Sequence, residues 1–242
     1  MTWSDITFDF SNRTVLVTGG TSGIGLGIAR GFAEAGAAVH ITGTKPLSAY
    51  DADLSGLTHH QYIQQDPGAA ADLIASFEHL DVVVNNAGSS RRDEFTGDGF
   101  AATIELNLNG VFRMCEMARP LLVASSGSII NVASMTSYFG STRVPAYSSS
   151  KGAIVSLTRS LAVAWASDGI RVNAVAPGWI ESALTSRLMN NEQLSAEIVN
   201  RTPAGRWGVP SDLAAPVMFL ASTGAGFITG EVLDVDGGYS SF

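Results

Sequence analysis

The sequence predicts an α/β fold in which seven strands form one doubly wound parallel sheet with helices on both faces. Three observations carry that prediction. Along the 242 residues, short apolar runs alternate with segments whose apolar residues recur at helical spacing, the pattern of repeated βα units. A glycine-rich turn follows the first run directly and opens a helix. The fourth run, Asp81-Val-Val-Val84, is apolar without alternation, the mark of a strand covered on both faces.

The first strand, residues 14–18, runs into Gly19-Gly20-Thr21-Ser22-Gly23-Ile24-Gly25, and a helix through Ile28, Phe32 and Ala35 then stops at Gly36. Glycines in such a turn let the backbone approach a pyrophosphate, and the free N–H groups of the helix N-terminus face the anion. The spacing Gly19-x-x-x-Gly23-x-Gly25 differs from the common G-x-G-x-x-G. No Gly-Lys-Ser/Thr follows, which excludes the phosphate loop of nucleotide hydrolases. The second strand, residues 38–42, ends in Gly43-Thr44-Lys45. An acidic residue here would hold an adenosine 2′-hydroxyl and repel a 2′-phosphate. Gly43 occupies that position, Thr44 can donate a hydrogen bond and Lys45 can supply charge, so NADP(H) is favoured over NAD(H).

Residues 46–58 are too short and polar for a full helix and predict an abbreviated crossover. The third strand, residues 59–65, leads to Asp66. His59 and His60 have no acidic or cysteine partner at ligand spacing, so they read as solvated strand ends and no metal site is expected. The fourth strand turns through Asn85-Asn86-Ala87-Gly88. A long helix follows, with Phe100, Ile104, Leu108, Val111, Phe112 and Cys115 on its apolar side and Asn107, an indifferent helix former, in its middle. The fifth strand, residues 128–134, ends on Ser134. A hydroxyl at the carboxyl end of a buried strand lies where open α/β sheets place their ligands. The sixth strand, residues 171–176, ends in Pro177-Gly178-Trp179-Ile180-Glu181-Ser182, and the seventh, residues 231–236, closes on Gly237-Gly238-Tyr239.

Between the fifth and sixth strands, Pro145 suits the first turn of a helix, and Ile154, Leu157, Leu161 and Trp165 continue it at helical spacing. Tyr147 and Lys151 therefore share one face near its start. A free tyrosine titrates near pH ~10, and an adjacent positive charge brings a phenol towards the working range. The chain has twelve arginines but only two lysines, Lys45 and Lys151, and the compact ammonium is not interchangeable with guanidinium.

Bulk properties narrow the rest. A hydrophobic content of 45% with 15% charged residues describes one well-packed globular domain over residues 1–242. The net charge of −8 argues against a nucleic-acid surface. No apolar run reaches bilayer-spanning length, and the first residues lack the basic and apolar regions of a signal peptide. The single Cys115 reads as buried filler. A cytoplasmic, soluble protein is the simplest expectation.

Thr-Gly-x-x-x-Gly-Ile-Gly, Asn-Asn-Ala-Gly, Asn107-Leu-Asn-Gly110, Ser134, Tyr147-x-x-x-Lys151 and the Pro-Gly motif at 177 span nearly the whole chain. Together they resemble the short-chain dehydrogenase/reductase family in its compact, single-domain, Rossmann-type form. The resemblance implies an NAD(P)-dependent carbonyl reductase or alcohol dehydrogenase acting on a small ketone or secondary alcohol. Tyr147 would be the proton donor, Ser134 the second donor to the carbonyl oxygen, and Lys151 a tuner of Tyr147 that also holds the nicotinamide ribose. Asn107 would loosen its helix and keep a water in the proton path. Cofactor contacts would come from Gly19, Thr21, Ser22, Gly23, Ile24, Gly25, Thr44 and Lys45. Asp66 would bind the adenine amino group, Asn86, Ala87 and Gly88 the adenine ribose, and Pro177, Gly178, Ile180 and Ser182 the carboxamide and pyrophosphate. Ser182 replaces the family's threonine, and Ser22 stands where NADP-preferring relatives often carry a basic residue. A substrate lid at about 179–206 and a homotetramer are further implications. Trp179, Phe139, Leu184 and Met189 suggest an apolar pocket, with Arg91 and Arg143 able to steer an acidic substrate. Two rivals are a dinucleotide-binding sensor or scaffold without turnover and a non-redox epimerase or dehydratase on the same fold.

Overall fold

Seven parallel strands run in the order β3-β2-β1-β4-β5-β6-β7, as a computed structural model that describes residues 6–66 and 68–241 gives them. They are β1 Thr14–Val17, β2 Ala38–Gly43, β3 Thr58–Gln61, β4 Val82–Asn85, β5 Ser128–Val132, β6 Arg171–Pro177 and β7 Val232–Val235. Every neighbouring pair is parallel. The chain winds outwards from β1 in one direction and from β4 in the other. The reversal between β1 and β4 opens a crevice at the carboxyl edge.

The helices divide the core in two. On one face, α1 (Gly23–Glu34) and α8 (Ala214–Ala221) cover Val15, Val17, Ile41 and Val84. On the other, α2 (Ala69–Ala75), α4 (Gly110–Ser125) and α5 (Pro145–Trp165) cover Leu16, Val83, Ile129 and Val172. Alternate residues of β1 thus feed both cores, which is why its sequence is continuously apolar. Phe32 on α1 is fully buried and meets Phe10 edge-on, with ring centroids 4.8 Å apart. Burying such a side chain contributes about 2–3 kcal/mol.

Four local outcomes differ from, or sharpen, the sequence expectations. The crossover after β2 is indeed abbreviated, to a single tight turn at Leu47–Ala49. The third strand is shorter than residues 59–65 and ends at Gln61, because its partner β2 ends at Gly43. Beyond it Gln64 turns inward and donates to the carbonyls of Ala87 and Leu106 at 3.2 and 2.7 Å. The long helix is interrupted: α3 (Gly97–Ile104) passes through a widened π-type turn at Glu105–Asn109 before α4 begins. Phe100 and Phe112 point outwards from it. His60 is no solvated strand end, since it stacks on His40 with a 2.8 Å contact between Nδ1 of His40 and Nε2 of His60. His59 Nε2 is buried without a partner among the described residues.

The segment after β6 carries α6 (Ser186–Met189) and α7 (Glu192–Arg201). Among the described residues no helix is long and apolar enough to cross a membrane, and no cluster of three metal-ligating side chains occurs. Cys115 is fully buried, which pushes its thiol up to about 12 and makes it inert filler.

Candidate active site

At the carboxyl edge of β1, β2, β4 and β5 lies a cleft of about 650 Å³. One end is built by the glycine turn. Thr18 Oγ1 accepts hydrogen bonds from Asn86 N and Ala87 N, both at 3.0 Å. Asn86 Nδ2 donates back to the carbonyls of Thr18 and Gly19 at 2.9 and 3.1 Å. The turns after β1 and β4 are thereby stapled together, leaving the start of α1 facing the cleft. Ser22 precedes that helix without capping it by its side chain, so the first N–H groups of α1 remain free to meet an anion.

Space is equally specific. A Cβ on Gly25 would lie 2.4 Å from both Asn86 Nδ2 and the Gly19 carbonyl oxygen, so no side chain fits there. A Cβ on Gly43 would lie 2.4 Å from the Tyr50 hydroxyl oxygen and 2.7 Å from Thr21 Cγ2. Tyr50 thus fills the space at the end of β2, where an acidic residue would otherwise project, and its hydroxyl accepts a hydrogen bond from Lys45 N at 2.9 Å. Among the described residues lining the cleft there is no carboxylate, and Lys151 is the one cation. An open helix terminus, glycine walls and the absence of negative charge suit a dinucleotide.

The other end is built by β5 and α5. Ser134, two residues beyond the end of β5, is buried and accepts a hydrogen bond from Thr136 N at 3.2 Å. Lys151 is 4% exposed, and its Nζ donates to the Val132 carbonyl at 2.6 Å. The same Nζ stands 5.6 Å from the centre of the Tyr147 ring. Tyr147 and Lys151 both line the cleft. Asn107 sits behind them, fully buried: its Oδ1 accepts from Ser89 N at 3.0 Å, and its Nδ2 donates to Ser89 O at 2.9 Å and Ser150 Oγ at 3.1 Å. Ser150 Oγ in turn donates to the Tyr147 carbonyl at 2.7 Å.

The electrostatics depart from the simplest expectation. Loss of solvent raises the Tyr147 phenol above the ordinary tyrosine value, Ser134 pulls it down, and the Glu94 carboxylate raises it further. Desolvation outweighs any help from the ammonium, whose shortest bond goes to a backbone carbonyl and not to the phenol oxygen. Burial also lowers Lys151 itself to about 8. At neutral pH the pair is therefore a protonated phenol beside an ammonium.

Several predicted residues converge on the cleft: Gly19, Thr21, Ser22, Gly23, Ile24, Gly25, Thr44, Asn86, Ala87, Gly88, Tyr147, Lys151 and Ser182. Others stand apart from its lining. Lys45 is exposed, with its backbone N–H bound to Tyr50. Asp66 is exposed and accepts from Gly68 N at 2.9 Å in a local turn. Pro177, Gly178 and Ile180 lie under the neighbouring turn, where the Ile180 carbonyl accepts from Thr185 Oγ1 at 2.7 Å. Arg91 is held by Asp93 at 2.9 and 3.0 Å. Phe139 and Trp179 pack on Tyr239, with centroids 6.5 and 6.3 Å away. Residues that sequence reasoning missed include Tyr50, Tyr62 and Gln64 in the cleft wall. Glu94 was missed too, because Arg91-Arg92-Asp93-Glu94 reads as a solvated charge run.

The family description Enoyl-(Acyl carrier protein) reductase matches residues 19–240. The chain is 39% identical over 245 residues to the 2-dehydro-3-deoxy-D-gluconate 5-dehydrogenase of Escherichia coli (strain K12), covering 96% of this chain and 97% of that one. The protein of the same name from Bacillus subtilis (strain 168) is 39% identical over 248 residues, with 97% of each chain covered. The crystal structure of a gluconate 5-dehydrogenase from Burkholderia cenocepacia J2315 in complex with NADP and tartrate superposes with a TM-score of 0.90. It shares 35% identity over 97% of this chain and 98% of that one.

Proposed function

Because this chain belongs to the short-chain dehydrogenase/reductase family and is a nicotinamide-dependent oxidoreductase, we propose that its substrate is the ketone or secondary alcohol of a sugar acid, with NADP(H) as the preferred cofactor. The observation that carries this reading is the carboxylate-free cleft with a glycine turn at one end and Tyr147 and Lys151 at the other, with buried Ser134 acting on the Tyr147 phenol. The relatives named for gluconate and 2-dehydro-3-deoxy-D-gluconate support the substrate class. Arg143 supports it too: exposed and four residues before Tyr147, its guanidinium has no partner among the described residues. The closed space at Gly43 supports NADP(H), since Tyr50 leaves no room for the carboxylate that would repel a 2′-phosphate.

The cofactor, when bound, supplies or accepts the hydride. Ser134 and the Tyr147 hydroxyl donate to the substrate oxygen, where negative charge develops during reduction, and Tyr147 gives up its proton there. Lys151 keeps a positive charge beside the phenolate so formed. Asn107 keeps Ser89 and Ser150 in register behind the pair. The segment at about 179–206, whose Ser182, Ala183 and Leu184 reach the cleft wall, acts as the substrate lid and excludes water.

Assembly and location follow the same reading. Phe112 and Val123 on α4, Val163 on α5, Phe219 on α8 and Leu233 on β7 are exposed apolar side chains. Exposed apolar side chains on several elements support assembly into a homotetramer. A cytoplasmic location is supported by the lone buried cysteine.

The test follows nicotinamide absorbance with D-gluconate and 2-dehydro-3-deoxy-D-gluconate under NADP⁺ and NAD⁺, beside simple alcohols. Turnover of a sugar acid with kcat/KM at least about tenfold higher for NADP⁺, a difference of ~1.4 kcal/mol, is the expected result. Turnover of simple alcohols alone, or a preference for NAD⁺, contradicts the corresponding half of the proposal.

A further inference from the structure

Glu94 lies in the loop between β4 and α3, is 1% exposed, and pairs with no lysine, arginine or histidine among the described residues. Its Oε1 accepts from Arg91 N at 2.8 Å and its Oε2 from Tyr147 N at 2.9 Å. The nearest arginine in sequence, Arg91, turns its guanidinium to Asp93 instead. Two backbone donors, one in the first turn of a 21-residue helix, make the burial tolerable, since helix N-termini favour negative charge. Only a carboxylate satisfies both donors, since a glutamine offers one acceptor oxygen and would turn its NH₂ towards one of the two N–H groups. The buried charge this requires has no cation beside it among the described residues, so its field bears on whatever lies near.

We propose that Glu94 is a positioning residue for the proton-transfer step: its carboxylate clamps the first turn of α5 to the loop after β4 and holds a negative charge towards the Tyr147 phenol. This rests on Tyr147 being the acid–base group. Near Tyr147 stand Lys151 on its own helix, with Nζ 5.6 Å from the ring centre, Ser134 after β5, and Glu94 after β4, whose carboxylate accepts from the Tyr147 backbone N–H. Lys151 and Ser134 favour the phenolate, while Glu94 opposes it. The consequence is directional. With Glu94 in place the phenol stays protonated through the neutral range, which serves carbonyl reduction. Without that charge the phenolate forms at lower pH, which moves both the reductive and the oxidative limb of the pH profile downward.

The experiment titrates tyrosinate absorbance in the intact protein, with Tyr147→Phe as the blank, so that the difference reports residue 147 without any substrate. Glu94→Gln should lower that midpoint by about half a pH unit or more, and shift the pH–rate profile by the same amount. Glu94→Asp keeps the charge on a shorter arm, so its midpoint should match the wild type while kcat falls. A Gln variant that folds with an unmoved midpoint overturns the proposal, as does an Asp variant whose midpoint shifts as far as the Gln variant's. Should the Gln variant not fold, the Asp variant decides alone: a wild-type midpoint with reduced kcat supports the proposal, and a shifted midpoint sinks it. Failure of the underlying reading looks different, because Tyr147→Phe itself would then turn over substrate at the wild-type rate.

Discussion

Lys151 shows how a side chain can be kept at a cost to stability. Its amine is buried, bonded to one backbone carbonyl at 2.6 Å, and lowered to about 8 from an ordinary value of 10.5. A base whose folded value lies below its unfolded one binds fewer protons folded than unfolded, so burial of the charge is unfavourable at neutral pH. That penalty is relieved as pH rises from about 8 towards 10.5. Activity moves the other way, since the folded protein loses the ammonium as pH rises through about 8. Lys151→Met is therefore expected to raise stability at pH 7 by about 1–2 kcal/mol while abolishing turnover. Paired urea unfolding and rate measurements check this, and a less stable variant contradicts the account. Lys151 was legible in the sequence because it is one of two lysines and stands four residues after Tyr147. The direction of the Tyr147 shift was not, because desolvation depends on what surrounds the phenol, and Glu94 approaches from 53 positions away.

Elements defined by a run of apolar residues were the most legible. β4 and β5 need burial on both faces, and only a central parallel position provides it. The weaker edge was misread for a physical reason. β3 carries Thr58, His59, His60 and Gln61, none of which announces a face, so its extent is set by where β2 stops and not by its own sequence. The His40–His60 contact is a product of that pairing, because His40 opposes Thr58 and His60 opposes Thr42 in the register. One ring must donate and the other accept across 2.8 Å, and a second proton breaks the arrangement. Both rings are held below the ordinary value of 6.5, by burial first and by a neighbouring histidine second. The unfolded chain then takes up protons before the folded one, so this contribution is present above pH ~6.5 and lost as pH falls through it. The midpoint of urea unfolding should fall between pH 7 and 5, and His60→Gln should flatten that dependence. An equally steep fall in the variant counts against the pair.

Across the whole molecule, the groups proposed for binding and for chemistry occupy separate parts of one cleft. The glycine turn belongs to β1 and α1, while the residues proposed to transfer the proton belong to β5 and α5, which the sheet order joins through β4. The glycine spacing and the Tyr-Lys spacing could both be read in the sequence because each is local. That they face one carboxylate-free cleft could not, since it depends on strands more than a hundred residues apart lying two places from each other in the sheet. The same separation means that the two functions can be removed independently. The decisive measurement is Tyr147→Phe, with NADPH affinity titrated by fluorescence alongside turnover of the best sugar acid found for the wild type. Affinity within about threefold of the wild type is the expected result, with kcat lowered by about 10²–10⁴-fold. Turnover near the wild-type rate, or loss of NADPH binding to the same extent as loss of activity, contradicts it.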